Sequence, residues 1–304
     1  MYKFIAGIAI ITLSIFAYFF IFDAEDQLPP EPAFIIHSRV IQPLNNQWQF
    51  IKSSPALAHS IDQDNWKSVN LPHTWNAKDG QDGGGDYYRG TGTYRRVFTL
   101  DEKFINKKIY LHFDGATTST KVYINGKEVG SHKGNYAAFR FDITEQVKLE
   151  QQNIVVVTVN NEVDDNVAPL SADFTFFGGL YRKVRLIASE NIHFDNVNYA
   201  SSGVFWAQTN ITDQLAQLDI STTLINETAE PAKITVTSLL RDANNNVVSE
   251  VNEEVLLTAN QSKPYSTKLS LVNPHLWHGL QDPYLYQAQT IISQGKKVVD
   301  QINQ

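Results

Sequence analysis

From Arg39 onward the chain is written with a period of two, and that alternation confines it to half-buried β-structure. Ile109, Leu111 and Phe113 alternate with Tyr110 and His112, and Val155, Val157 and Val159 alternate with Val156 and Thr158. Val184 and Leu186 follow Lys183 and Arg185. Successive side chains of a strand point to opposite faces, so each segment turns one face toward a core. Helical periodicity is almost absent over the same stretch. Val122–Val129 reads as a hairpin, because Asn125-Gly126 supplies the two positive φ angles that a type I′ turn requires. Many short strands separated by Gly, Asn and Asp clusters predict an all-β sandwich architecture.

The turn chemistry changes near Ser189-Glu190, which divides this region into domains over 39–189 and 190–304. In the second, Leu218, Ile220, Thr222 and Leu224 form one strand, and Ile234, Val236 and Leu240 belong to another. Asp242–Asn246 is a turn before Val247. Tyr284, Tyr286 and Ala288 give a late strand, and Gly295-Lys296 turns the chain into Val298-Val299. About seven short strands in roughly 110 residues fit an immunoglobulin-like sandwich. The chain has no cysteine, which excludes disulfides and thiolate metal sites.

The first residues differ in kind. Phe4 to Phe22 is apolar apart from Gly7, Thr12 and Ser14. About 20 such residues match the hydrocarbon core of a bilayer. A secretory signal has a shorter apolar region and a small-residue cleavage site, whereas this run ends Phe20-Ile21-Phe22-Asp23. Lys3 precedes it and Asp23, Glu25 and Asp26 follow, so the positive-inside rule places the remainder outside the cytoplasm. Residues 1–22 are therefore expected to be a transmembrane anchor and 23–38 a Pro-rich acidic linker, with the domains on the periplasmic or extracytoplasmic side. A cleaved signal peptide is the alternative, and it too means export. A net charge of −7 argues against a nucleic-acid partner, which needs clustered Lys and Arg. The pairs Arg95-Arg96, Lys107-Lys108 and Lys296-Lys297 read as solvated strand ends.

Five motifs occur in order: Leu71-Pro-His-Thr-Trp-Asn76, Tyr87-Tyr-Arg-Gly-Thr-Gly-Thr-Tyr-Arg-Arg96, Lys121-Val-Tyr-Ile-Asn-Gly-Lys-Glu-Val-Gly130, Ala137-Ala-Phe-Arg-Phe-Asp-Ile-Thr144 and Phe176-Phe-Gly-Gly-Leu-Tyr-Arg-Lys-Val-Arg-Leu186. Each alone is weak, but the ordered set resembles the sugar-binding domain of glycoside hydrolase family 2, which includes β-galactosidases, β-glucuronidases and β-mannosidases. Asn273-Pro-His-Leu-Trp277 and Asp282-Pro-Tyr-Leu-Tyr286 resemble the strand pair that ends the immunoglobulin-like domain of that family. The resemblance implies a galactose-binding-like jelly roll followed by that sandwich, and then a catalytic (β/α)8 barrel that would begin near Gln304. This chain is accordingly expected to be the non-catalytic front portion of a retaining β-galactosidase-like enzyme, inactive alone and needing no cofactor. Its implied partners are a terminal β-linked sugar, a galactoside above all, the membrane through the N-terminal helix, and the catalytic barrel. A stand-alone membrane-anchored lectin and a ligand-free structural sandwich are the competing readings.

Family members lend side chains from this domain to the active site on the barrel. Asp173, shortly before Gly178-Gly179, occupies the place of one of them, and Asn76 with Asp79 behind it is the match for the other. A turn carboxylate is the structural alternative for Asp173, since Asp is a favoured turn residue. The loop Asn76–Asp86 also offers Asp79, Asp82 and Asp86, but their spacing is not that of an EF-hand and lacks its terminal Glu. His275 and His278 are too few for a zinc site. Trp48, Trp66 and Trp75 read chiefly as core residues, Gly178-Gly179 as a sharp turn or close backbone approach, and Arg182 as half of an ion pair. The Asn-Glu dipeptides at 161–162, 226–227 and 252–253 read as chance matches to the family's acid/base motif, because no strand–helix alternation surrounds them.

Overall fold

The computed structural model describes residues 38–52, 65–79, 87–168 and 175–304. The expected anchor at 1–22, nearly all of the linker, Asp82, Asp86 and Asp173 lie outside them. Among the described residues no helix is long and apolar enough to cross a membrane.

Ser38–Gln304 forms a single unit of stacked antiparallel sheets. The strands in chain order are β1 (Val40–Pro43), β2 (Trp48–Ile51), β3 (Lys67–Val69), β4 (Thr91–Thr99), β5 (Lys108–Phe113), β6 (Ser119–Ile124), β7 (Lys127–Lys133), β8 (Phe139–Asp142), β9 (Gln152–Asn160) and β10 (Val184–Ser189). They build a six-stranded sheet, β3-β2-β4-β9-β6-β7, facing a four-stranded one, β1-β10-β5-β8. Trp48, Tyr94, Val122, Val155 and Val157 from the first sheet meet Leu111, Phe113, Val184 and Leu186 from the second in one core. The β6–β7 hairpin turns at Asn125 (φ 51°) and Gly126 (φ 83°), as the dipeptide requires.

A second sandwich follows, from β11 (Ile192–Phe194), β12 (Val204–Ile211), β13 (Leu215–Asn226), β14 (Ala232–Arg241), β15 (Val247–Leu257), β16 (Gln261–Val272), β17 (Gln287–Gln294) and β18 (Lys297–Asn303). β11 and β12 run in tandem along one edge of β13 and β16 takes the other, opposite the sheet β15-β14-β17-β18. Ile220, Leu224, Val236, Leu257 and Ile292 fill its core.

The two sandwiches share a polar seam, and it buries a face that alternation alone assigns to solvent. In β5 the outward residues Tyr110 and His112 are each only 3% exposed. The Tyr110 hydroxyl lies 3.4 Å from His193 Nε2, and Arg140 of β8 donates to the Asn196 carbonyl at 2.6 Å. Asp300 of β18 takes a bidentate Arg39 guanidinium at 2.8 and 2.7 Å. The basic pairs are not merely solvated ends. Lys107 and Lys297 both hold Glu190, at 3.2 and 3.0 Å, and Lys108 holds Asp142 and Glu227, at 3.1 and 3.2 Å. Arg182 also departs from expectation. It donates to the carbonyls of Asp114 and Tyr136, while Arg185 takes the Asp114 carboxylate at 2.9 Å. Trp66 is half-buried with the Arg95 guanidinium over its ring at 4.1 Å, so it packs on a sheet face and not in the core.

His112 makes this seam sensitive to acid. Its Nε2 faces Asp114 Oδ1 at 2.9 Å, and its Nδ1 accepts from Arg140 Nε at 3.2 Å. A nitrogen that accepts cannot also carry a proton, so the network assigns the neutral Nε2–H tautomer. Burial, then the Arg140 and Arg185 charges, push its pKa down from 6.5 to about 4 against the opposing pull of Asp114. Between those values the unfolded chain binds a proton that folded His112 refuses. Its stabilising contribution is complete above pH 6.5 and is lost as pH falls toward about 4. Urea unfolding at pH 7 and pH 4.5 is expected to show a smaller acid loss for His112→Gln than for the wild type. Equal losses would remove His112 as the cause.

Candidate functional site

At the end of the first sandwich where β4 begins and β9 finishes, four connections converge on buried amide groups. Thr74–Asn76 follow β3, Tyr87–Gly90 lead into β4, Asn161 follows β9, and Phe176–Leu180 approach β10. Trp75 anchors them. Its ring stacks on Phe50 at 5.7 Å, and its Nε1 donates to the Tyr88 carbonyl at 3.3 Å. Gly178 has to be glycine here, because a Cβ would lie 2.1 Å from Trp75 Cζ2 and 2.7 Å from Asn161 Nδ2. At Gly179 (φ 125°) a Cβ would meet the Tyr94 hydroxyl at 2.5 Å. The close backbone approach read from the sequence is thus a contact with one tryptophan and one tyrosine.

Asn76 is wholly buried and saturated. Its Nδ2 donates to Asp79 Oδ2 and the Tyr88 carbonyl, both at 2.9 Å. Its Oδ1 accepts from Gly178 N–H at 2.8 Å and Asn161 Nδ2 at 3.1 Å. Asp79 also accepts from Tyr88 N–H at 3.0 Å, while its buried Oδ1 has no partner. No group of three potential metal ligands occurs among the described residues, and Asp82 and Asp86 lie outside them. Asn161 completes the set. It accepts from Gly90 N–H at 2.9 Å through Oδ1 and donates to the Phe176 carbonyl at 3.2 Å. Arg89 donates to the Asn161 carbonyl at 2.7 Å with its guanidinium over the Phe176 ring at 5.0 Å. The Tyr87 hydroxyl exchanges hydrogen bonds with the Phe176 backbone at 2.9 and 2.8 Å.

The structure therefore brings Asn76 and Asp79 together, as donor and acceptor in one buried network. Asn161, read as half of a chance dipeptide, is its second hub. The available signal was an amide placed directly after a strand whose inward positions 155, 157 and 159 are Val. Asp164, in the same connection, is spent locally. It pairs with Lys133 at 2.7 Å, and that contact, then the Asn166 N–H, hold its carboxyl down at about 2. Burial, then the Glu162 charge, raise the Tyr88 phenol, which bonds the Thr91 carbonyl at 2.9 Å. The network ties together residues on both sides of 80–86 and of 169–174, the segments that carry Asp82, Asp86 and Asp173.

Residues 59–190 match the profile of the glycosyl hydrolases family 2 sugar binding domain, and residues 203–304 match a second glycosyl hydrolases family 2 profile. The chain is 34% identical to a β-glucuronidase of Bacteroides fragilis over 86% of its own length and 36% of the relative's. It is 29% identical to a β-galactosidase of Thermoanaerobacter pseudethanolicus, over 84% and 33% of the two. Among solved structures it superposes on a putative β-galactosidase from Bacteroides fragilis with a TM-score of 0.82 at 32% identity, covering 88% of this chain and 40% of that one. A Bacteroides uniformis β-glucuronidase gives a TM-score of 0.81 at 35% identity, over 87% and 32%. The chain spans about a third of the length of the curated relatives named here.

Proposed function

The chain belongs to glycoside hydrolase family 2, and on that premise we propose that its two sandwiches are the non-catalytic, sugar-positioning portion of an exported β-glucuronidase- or β-galactosidase-like enzyme. The observation that carries this reading is the saturated Asn76–Asn161 network, which fixes the roots of two Asp-bearing segments at one end of a rigid sandwich. Recognition groups are commonly held in this way, on connections placed by a stiff scaffold. In this reading Asp173 accepts a hydrogen bond from a sugar hydroxyl, and Asn76 with Asp79 acts from beneath as a positioning pair.

Cleavage by a retaining glycosidase needs two carboxyl groups about 5–5.5 Å apart across the scissile bond. The proposal gives that pair to a barrel-type catalytic domain and gives this chain the orientation of the substrate, whose binding energy then serves to place the ring. Export and anchoring are assigned to residues 1–22 on the strength of their apolar run and flanking charges.

In the enzyme assembled with its catalytic domain, Asp173→Ala is expected to lower kcat/KM about 10- to 100-fold. Parallel assays on nitrophenyl β-glucuronide and β-galactoside identify the sugar. The purified 304-residue chain is expected to turn over neither. Turnover by the chain alone, or an unchanged kcat/KM in the variant, would overturn the reading.

A further inference from the structure

Between β16 and β17 the chain runs from Asn273 to Tyr286 without joining either sheet. It is nevertheless fixed. The His278 N–H donates to the Asp282 carbonyl at 2.8 Å and closes a turn over Gly279 (φ 61°) and Leu280. His275 Nε2 lies 2.7 Å from Asp282 Oδ2, and the His275 ring stacks on Tyr284 at 3.9 Å. The His275 N–H donates to the Tyr286 hydroxyl at 2.8 Å. The Tyr284 hydroxyl accepts from Ala243 N–H at 3.2 Å, which ties the segment to the turn between β14 and β15.

This segment spends its polar side chains on itself and leaves its apolar ones outside. Asp282 and Tyr284 turn to His275, so Pro283 and Leu285, at the alternate positions, face solvent. The His278↔Asp282 bridge sets Trp277 opposite Pro283. Trp277 is 61% exposed, Leu285 72%, and Leu280, at the tip of the turn, fully so. Single exposed apolar residues are ordinary, but four on one fixed segment mark a contact surface.

Two observations say what covers it. The stretch shared with the relatives is the N-terminal portion of family 2 enzymes and 36% of the length of the Bacteroides fragilis β-glucuronidase, so the rest of such an enzyme follows the position of Gln304. Gln304 exchanges both backbone hydrogen bonds with Ala288, each at 2.8 Å. Leu285 stands three residues before Ala288, roughly 10 Å away at the rise of a strand. A domain that follows Gln304 thus leaves beside this face. The segment 273–286 has no Lys or Arg, which an anionic lipid surface would call for. Its His275 and Asp282 side chains are engaged with each other and not offered to sugar hydroxyls.

We propose that the face made by Trp277, Leu280, Pro283 and Leu285 is the seat of the catalytic domain, which covers it with an apolar surface of its own. The inference rests on the reading above that such a domain accompanies the two sandwiches. Docking there would fix the second sandwich, and through the Arg39–Asp300 seam the first, against the domain that cleaves the substrate.

The test compares the purified 304-residue chain with the enzyme assembled with its catalytic domain, each as wild type and as the double variant Leu280→Asp with Leu285→Asp. In the chain alone the variant is expected to leave the thermal midpoint unchanged, because both side chains are already in water. In the assembled enzyme it is expected to lower the midpoint by about 5 °C or more. Amide hydrogen exchange over 274–286 is expected to be about tenfold or more slower in the assembled wild type than in the chain alone. Circular dichroism checks the fold, and Trp277→Gln decides the matter if the double variant is not folded. An active enzyme whose exchange over 274–286 matches that of the chain, and whose midpoint ignores the variants, overturns this proposal and leaves the previous one standing. So does self-association of the chain that the variants abolish, since the face would then belong to a second copy. An assembled enzyme that cleaves neither nitrophenyl glycoside removes the previous reading and this one with it.

Discussion

Asp300→Ala is expected to destabilise the protein by about 3–5 kcal/mol, the range for breaking a buried ion pair from one side. The Asp300 side chain is fully buried and that of Arg39 only 12% exposed. Besides the two Arg39 contacts, Asp300 accepts from Phe194 N–H at 2.9 Å, its own neighbour Gln301 N–H at 2.9 Å and Ser38 Oγ at 3.3 Å. Truncation strands a guanidinium and two amides within the seam that joins the first strand of one sandwich to the last strand of the other. The double variant Arg39→Met with Asp300→Ala is expected to recover part of the loss, because no orphan charge remains. Urea unfolding curves for the two variants measure both terms. A loss below about 1 kcal/mol in the single variant would mean that the pair behaves as an exposed one.

Asn76→Ala is the second large change, expected to cost about 2–4 kcal/mol. It takes from Gly178 N–H its acceptor and from the Tyr88 carbonyl and Asp79 Oδ2 a donor, in a site too enclosed by Trp75 and Asn161 for easy repair. Asn76→Asp keeps the shape but sets two carboxylate oxygens near the 2.9 Å now spanned by a hydrogen bond. Like charges that close cannot both ionise freely. The Asp variant should therefore be the less stable of the two at pH 7, and its deficit should shrink as pH falls through the carboxylate range. Thermal unfolding at pH 7 and pH 4.5 checks the order. An Asp variant as stable as the wild type at pH 7 would show that Asn76 is not locked against Asp79.

Much of this site was legible in advance. Gly178-Gly179 announced a close approach, Asn76 was marked by its place at the end of the first of an ordered set of motifs, and Asp79 stood behind it. What they do was not legible. Asn76 turned out to be spent on the protein itself, because its partners come from residues 79, 88, 161 and 178, and no pattern local to one strand reports that convergence. Asn161 was missed for the same reason.

The sequence by itself determined the class of fold, since a period of two with Asn-Gly and Asp-Asn turns admits antiparallel sheets and little else. It also determined the hairpin register at Asn125-Gly126, through the positive φ angles that few other dipeptides tolerate. Only the tertiary structure decided which strand faces are truly outside. Tyr110 and His112 alternate as surface residues, yet β11 and its flanking turn lie over them. The physical reason is that alternation records how a strand meets its own sandwich, whereas burial of the opposite face depends on a second sandwich whose docking is set by charge pairs far apart in the chain, Arg39 with Asp300 above all.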